Sequence, residues 1–266
     1  LNGSDPSGGA IYYFNPATAT SKWIWSRPLI VTIGKHRFKP EIKAESLLPQ
    51  MDEAGVDMAV INCYAESLDN ASVEEAVKRW PDRFIGLYTV NPWREDAAAE
   101  LEDAFKNRGF RGLYMNPLRH GYILCEHQVF DPLLDVCAAY HAPVWCYGAA
   151  EVFSSPVFFS GIAEDYPGVN LIMGRMGLQY DNASAVAIAK KHKNVYLETS
   201  SSMDFNALRA IKTAGPEQVL LGTGTPEAGY YALEIEKVRN ASKNFPGAEA
   251  LVLGENAARI FGVKER

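Results

Sequence analysis

The chain has 266 residues, of which 47% are hydrophobic and 22% charged, and its formal net charge is −6. This length and composition are typical of one globular domain. The acidic balance argues against nucleic acid or an anionic membrane surface as the main partner. No run of 18 apolar residues predicts a transmembrane helix.

The first nine residues are small and polar and do not begin with Met. They predict a flexible linker or a cloning remnant, followed by one domain over residues 10–266. No basic start precedes an apolar stretch, so we predict no secretion signal and expect a cytoplasmic protein. The four cysteines form no CxxC pair, which favours reduced thiols.

Strand and helix patterns alternate along the domain. Strands are predicted at Ile11–Phe14, Asp57–Tyr64, Phe84–Val90, Gly112–Asn116, Pro143–Tyr147, Val169–Arg175, Val195–Ser200 and Val219–Thr223. Helices are predicted at Glu45–Ala54, Ser72–Trp80, Arg94–Lys106, Asp131–Tyr140, Pro156–Asp165, Asn182–His192, Asp204–Ala214, Tyr231–Asn244 and near Ala248–Ile260. Eight such units predict an α/β fold, a single-domain (β/α)8 TIM barrel, with an open sheet as the alternative. Reactive groups of a barrel lie at the carboxyl ends of its strands.

A series of short motifs then indicates a family. They are Met51–Val56, Arg79–Phe84, Gly109–Pro117, Ala142–Val144, Leu171–Gly177, Leu220–Pro226 and Gly254–Phe261. In this order and at these spacings, roughly residues 10–262 resemble the amidohydrolase-related family. The resemblance implies a TIM barrel that holds a divalent metal ion. It also implies hydrolase, decarboxylase or hydratase activity on small, often carboxylated or aromatic molecules.

The resemblance places metal ligands at an H-x-H on the first strand, a His on each of the fifth and sixth, and an Asp on the eighth. Here Tyr147 falls at the fifth-strand position, Arg175 at the sixth and Gly224 at the eighth. Tyr12 matches one first-strand ligand, and Tyr114 falls where relatives often carry a lysine. None of the five histidines lies at a predicted strand end. We therefore expect no bound metal and no cofactor.

These exchanges replace imidazoles, an amine and a carboxylate while the frame motifs stay intact. Our leading hypothesis is a barrel redesigned, by computation or laboratory selection, around a metal-free pocket. A natural metal-free branch is the alternative.

The predicted catalytic residues are Glu227, Arg175 and Tyr147. A carboxylate beside aromatic rings is desolvated, which raises its pKa and its strength as a base. Arg175 and a tyrosine hydroxyl would stabilise a developing anion. Two other interpretations stay open, namely that Glu227 faces solvent or pairs with Arg175. The predicted substrate-binding residues are Tyr12, Tyr114, Trp93, Trp145, Asn116, Met173 and Gly224.

The sequence thus predicts metal-free acid–base chemistry, such as proton abstraction or bond cleavage, on a small aromatic molecule. One alternative is a catalytically silent barrel that only binds a ligand. Another is a metal-dependent hydrolase or decarboxylase of the family. The expected partner is a small molecule, without nucleic acid or membrane, and the chain is a candidate homo-oligomer.

Two further motifs contain residue types that occur in catalytic sites. Cys125, Glu126 and His127 contain the residue types of a cysteine hydrolase, but neighbouring residues seldom point together. Ser200–Ser202 follow a predicted strand and are predicted to cap the helix that begins at Asp204.

Overall fold

The computed structural model describes residues 10–15, 20–25, 44–63, 70–148, 153–225 and 229–263. For the first two ranges and for residue 119 it describes the backbone alone. The strands are β1 (Ala10–Asn15), β2 (Thr20–Trp25), β3 (Ala59–Asn62), β4 (Phe84–Thr89), β5 (Gly112–Met115), β6 (Val144–Tyr147), β7 (Leu171–Gly174), β8 (Val195–Glu198) and β9 (Val219–Leu220).

Helices separate the strands from β3 onward. The α-helices are α1 (Leu48–Ala54), α2 (Asn70–Arg79), α3 (Ala97–Asn107), α4 (Pro117–His120), α5 (His127–Ala139), α6 (Phe159–Asp165), α7 (Asn182–Lys191), α8 (Asp204–Thr213), α9 (Tyr231–Ser242), α10 (Ala248–Ala250) and α11 (Asn256–Phe261). A π-helical turn, Leu251–Glu255, joins α10 to α11, so the predicted last helix is one helical run with a π segment inside it. None of the described helices is long and apolar enough to cross a membrane.

The main sheet confirms the predicted α/β barrel class. Its strands β3 to β9 are parallel and lie side by side in the order of the sequence. A helix or helical turn between successive parallel strands is the connection that a parallel sheet requires. Seven strands pair in this way among the residues that the structure describes.

The prediction that the first strand belongs to the barrel sheet is wrong. Residues 10–15 do form a strand, but it pairs antiparallel with β2 in a separate two-stranded sheet, where Tyr12 lies opposite Trp23. The alternation of apolar and polar residues that predicts a strand carries no information about its partner. Whether the Tyr12 side chain reaches the pocket therefore stays a prediction.

The two faces of the parallel sheet bury different clusters. Successive strand residues point to opposite faces. One face contributes Ile85, Leu87, Tyr114, Ile172, Tyr196 and Leu220 to an interior cluster that α11 closes with Ile260 and Phe261. The other face packs under the helices with Tyr88, Leu113, Cys146, Met173, Leu197 and Val219. This alternation decides which strand-end residues face the interior of the barrel.

An acid-dependent contribution to stability arises beside β4. Glu74 pairs with Lys78 at 2.6 Å and with Arg108 at 2.7 Å. The hydrogen bond from Lys78, followed by that from Arg108, lowers the pKa of the Glu74 carboxyl. A carboxyl whose folded-state pKa lies below its unfolded value stabilises the fold at neutral pH, and that contribution is lost as the pH falls through the folded-state pKa.

We therefore expect the free energy of unfolding of the wild type to fall more steeply than that of Glu74→Gln as the pH drops below 4.5, the ordinary pKa of a glutamate. The difference should be about 1 kcal/mol, because the pairs are partly solvated. Urea unfolding at a series of pH values measures this. Parallel pH curves for the two proteins would contradict it.

Candidate active site

The carboxyl ends of the strands form a mouth whose interior positions follow from the alternation along each strand. Counting on from the interior cluster, these positions are Thr89, Asn116, Tyr147, Gly174, Glu198 and Gly222. Because parallel strands end at the same edge, residues far apart in the sequence meet here.

Arg175 and Tyr147 form the most direct polar contact at this mouth. Tyr147 is the last residue of β6 and pairs in register with Gly174, which directly precedes Arg175. The Arg175 Nη1 donates a hydrogen bond of 2.8 Å to the Tyr147 hydroxyl. Its Cζ also lies 4.8 Å from the centroid of the Tyr147 ring. The structure thus brings together two of the three predicted catalytic residues.

Below this pair lies an aromatic floor. The rings of Tyr114 and Trp145 are stacked, with centroids 5.1 Å apart and planes 16° from parallel. Asn116 Nδ2 donates to the Tyr114 hydroxyl over 3.2 Å. Tyr114 is fully buried while Trp145 is half-buried. These three predicted substrate-binding residues therefore contact one another.

The other predicted site residues lie elsewhere. Trp93 is 47% exposed on the rim, where its Nε1 donates to the carbonyl of His120 over 2.7 Å. Gly224 is exposed, with a positive φ of 61°. Glu227 and the side chain of Tyr12 lie outside the described residues.

The structure contradicts the predicted substrate-binding role of Met173. It is fully buried in the cluster between sheet and helices. Its neighbour Ile172 takes the interior position, so Met173 cannot line the mouth. The register of β7 against β6 explains this, because Met173 lies opposite Cys146, which is buried in the same cluster.

Sequence reasoning missed Glu198. This carboxylate ends β8 and is 6% exposed. Its Oε2 accepts hydrogen bonds from the backbone amide of Arg175 at 2.8 Å and from the Ser200 hydroxyl at 2.9 Å. Its Oε1 accepts from the Ser200 amide at 2.8 Å. A signal was available, since a carboxylate at the interior position of a buried strand demands partners.

Gly222 makes room for Glu198. A Cβ at this glycine would lie 1.0 Å from Glu198 Oε1. The carboxylate therefore occupies the volume that any other residue would fill on the neighbouring strand.

The two further motifs do not form sites. Glu126 Oε2 accepts from the amide of Ile123 at 2.6 Å, and His127 Nδ1 lies 3.1 Å from Asp131, so neither faces the exposed Cys125 thiol as a dyad partner. The predicted serine cap is wrong, because Met203 is the N-cap of α8 and no side chain caps it.

Comparison with solved structures places this architecture among TIM barrels. The 5-carboxyvanillate decarboxylase of Sphingomonas paucimobilis superposes with a TM-score of 0.66 and 20% identity, over 90% of this chain and 87% of that one. An uncharacterised TIM-barrel protein of Bordetella bronchiseptica gives 0.68 and 17% identity, over 83% of each chain. The 5-carboxyvanillate decarboxylase of Novosphingobium aromaticivorans, complexed with manganese and a hydroxy-methoxy-nitrobenzoic acid, gives 0.66 and 18% identity over 89% and 88%. At these identities the likeness shows the fold alone.

The beginning of the chain matches a different group. Residues 1–39 match a family model described as cell wall hydrolase. Over 38 residues the chain is 79% identical to a spore cortex-lytic enzyme of Halalkalibacterium halodurans and 71% identical to one of Bacillus cereus. This stretch is 14% of the chain and spans only 12% and 15% of those two proteins. The match runs across residue 9, where the sequence predicts a linker to end.

The described mouth does not fit a divalent metal ion. Such an ion takes about three or four N, O or S ligands from the protein. No group of three or more His, Cys, Asp or Glu side chains in the described ranges could hold one. Glu198, the carboxylate at the mouth, already accepts three hydrogen bonds. The guanidinium of Arg175 would also repel a second cation placed beside it.

The frame nevertheless identifies the chain. Residues 30–263 match the family model described as amidohydrolase. This match covers most of the 266 residues and includes all seven parallel strands. The chain belongs to the amidohydrolase family.

Proposed function

We propose that the barrel mouth binds a small aromatic anion and acts on it by acid–base chemistry without a bound metal ion. One observation carries this proposal. Arg175 and Tyr147 stand in contact at the two positions where the family resemblance expects metal-binding histidines. A pair of hydrogen-bond donors, one of them charged, therefore takes the place of the ion.

The chemistry of the pair suits a carboxylate. A guanidinium binds a carboxylate through charge-assisted, often bidentate, hydrogen bonds. The Tyr147 hydroxyl is one further donor when its oxygen accepts from Arg175. The stacked rings of Tyr114 and Trp145 give a flat apolar surface beneath. Carboxylated aromatic molecules also occur in the names of similar structures, the 5-carboxyvanillate decarboxylases.

Glu227 is the proposed general base. It follows Gly224-Thr225-Pro226 on the loop after β9, which begins at the same mouth. If the aromatic surroundings desolvate its carboxyl, its pKa rises and it accepts a proton from carbon more readily. Arg175 and Tyr147 would then stabilise the anion that forms. Redesign of the barrel remains our leading hypothesis for the origin of this site, with a natural metal-free branch as the alternative.

A catalytically silent ligand-binding barrel is the second candidate. Glu198 favours it, because all three hydrogen bonds to this carboxylate fix the protein itself. Without Glu227, the described mouth therefore offers donors for an anion in Arg175 and Tyr147, but its carboxylate, Glu198, is engaged in these three bonds and does not move a proton. A metal-dependent hydrolase or decarboxylase is the third.

The binding test uses benzoate as the probe. We expect Arg175→Gln to weaken benzoate binding by about 10- to 100-fold, because a hydrogen bond to a charged group is worth about 1.5–3 kcal/mol. Isothermal titration measures it. Arg239→Gln is the matched control, since Arg239 is exposed and pairs with Glu249 at 3.3 Å, away from the mouth. Equal affinities for wild type and Arg175→Gln would remove Arg175 from the site.

A turnover assay separates the first two candidates. Carboxylated aromatic substrates are incubated with wild type and Glu227→Gln, and loss of substrate is followed. Turnover that Glu227→Gln abolishes supports the acid–base proposal. Binding without turnover in the wild type supports the silent barrel.

Elemental analysis tests the third candidate. We expect purified protein to contain far less than one divalent ion per chain, and we expect a chelator to leave its melting temperature unchanged, because the described mouth lacks a ligand set. One tightly held ion per chain, with a melting temperature that the chelator lowers, would overturn the metal-free proposal.

A further inference from the structure

The turn that carries Arg175 is strained. Three of its four residues from 175 to 178 have positive φ without being glycine: Arg175 at 63°, Met176 at 32° and Leu178 at 50°. Each such residue carries a conformational penalty and persists only where the surroundings fix it. Glycine would adopt these angles at little cost, so the arginine side chain is retained here against a conformational penalty.

Three buried side chains from three different elements hold this turn. Glu198, at the end of β8, accepts the Arg175 amide at 2.8 Å. Asn182 of α7 donates from Nδ2 to the Met176 carbonyl at 3.1 Å, and Asn206 of α8 donates from Nδ2 to the Leu178 carbonyl at 3.0 Å. The three are between 1% and 6% exposed. Solvent therefore competes little for these bonds.

The loop that supports Glu198 is itself fixed from behind. Ser200 donates to Glu198 through both its amide and its hydroxyl. The buried Lys237 of α9 donates to the carbonyls of Thr199 at 2.8 Å and Ser202 at 3.2 Å. The strained turn is thus anchored through β8 to the outer helical layer.

We propose that Glu198, Asn182 and Asn206 are positioning residues that hold the Arg175 turn in its strained conformation, so that the guanidinium stands beside Tyr147 to select an anionic ligand. This inference rests on the proposed function. It goes beyond it by assigning the anion selectivity of the mouth to a backbone clamp that touches no ligand.

The test compares benzoate with its neutral isostere benzamide. Selectivity is the ratio of the benzamide and benzoate dissociation constants, measured for each protein by titration. Loss of general stability changes the fraction folded and affects both probes alike. Displacement of the guanidinium weakens the binding of the charged benzoate more than that of the neutral benzamide, because a charge-assisted hydrogen bond is the stronger one. The ratio therefore reports the position of the Arg175 guanidinium and not the fraction of protein that is folded.

Glu198→Gln and Asn206→Ala are the test variants. In Glu198→Gln one carboxylate oxygen becomes an NH2 group, so the side chain loses its charge and can no longer accept from the Arg175 amide through one oxygen and the Ser200 amide through the other. We expect the ratio to fall about tenfold in each. Asn194→Ala is the matched control, because Asn194 Nδ2 likewise donates to three carbonyls, of Ala163, Tyr166 and Val169, but does so at the opposite end of β7. Its ratio should equal that of the wild type.

The outcomes separate the two proposals. If the wild type does not prefer benzoate, the proposed function fails and the inference fails with it. If the wild type prefers benzoate and Arg175→Gln does not, but both clamp variants keep the full preference, only the inference is overturned. Should Glu198→Gln fail to fold, Asn206→Ala decides. The amide proton shift of Arg175 in NMR spectra provides an independent reading, since Glu198→Gln should move it upfield, and an unmoved resonance would also overturn the inference.

Discussion

Replacing Gly222 by alanine is expected to destabilise the barrel by about 3–5 kcal/mol. The new methyl carbon would lie 1.0 Å from Glu198 Oε1 and 2.0 Å from its Cδ. Gly222 lies just after β9, and its amide donates to Thr199 Oγ1 at 3.1 Å. This bond and the close packing restrain its backbone, so the carboxylate must move. Moving it breaks hydrogen bonds to a buried charge, and each is worth about 1.5–3 kcal/mol.

Urea unfolding measures this loss, and a double-mutant cycle identifies its cause. Glu198→Ala alone removes the bonds to Arg175 and Ser200. In the double variant with Gly222→Ala no clash remains, so its destabilisation should be smaller than the sum of the two single values. Additive effects, or a Gly222→Ala protein as stable as the wild type, would mean that Gly222 does not shape the Glu198 pocket.

Gly174→Ala should cost about 1–3 kcal/mol or more and should disrupt the aromatic floor. An added Cβ would lie 2.1 Å from Trp145 Cζ2 and 2.3 Å from its Cη2. Because Trp145 stacks on Tyr114 at 5.1 Å, the indole cannot make room without separating the two rings. Gly174 also precedes Arg175, so the same change disturbs both the floor and the cation above it.

Near-ultraviolet circular dichroism reports the stacked rings, and thermal unfolding reports stability. Gly168→Ala is the matched control, since a Cβ at that loop glycine would meet nothing within 4 Å. We expect the control to keep the wild-type spectrum and stability. An unchanged aromatic spectrum in Gly174→Ala would show that the indole has another place to go.

Two glycines determine the geometry of the mouth as much as the side chains around them do. Gly174 and Gly222 create the volumes that Trp145 and Glu198 fill. The aromatic floor therefore depends on Gly174 of β7 beside Trp145 of β6, and the Arg175 turn depends on Gly222 beside Glu198 of β8. A substitution at either glycine is expected to weaken ligand binding by displacing Trp145 or Glu198, and not by removing a contact between the glycine and the ligand.

The parallel barrel and part of its mouth follow from the amino-acid sequence alone. Alternating strand and helix patterns are local, and parallel connections leave few ways to arrange them, so the order β3 to β9 follows from the chain. The meeting of Tyr147 and Arg175 was predictable for the same reason, because neighbouring parallel strands end at one edge. Trp145, Tyr114 and Asn116 were likewise found together.

Four other features depend on contacts between distant segments and could not be predicted from the sequence. A strand pattern does not name its partner, so residues 10–15 could be recognised as a strand but not as half of a hairpin. Met173 required the parity of β7 relative to its neighbours, because a shift of one residue turns a side chain to the other face. Glu198 and Gly222 become meaningful as a pair across two strands, and the φ of Arg175 depends on side chains from three elements. These features are contacts between segments that are distant in the sequence. They form only when packing brings the segments together, so no local sequence pattern encodes them.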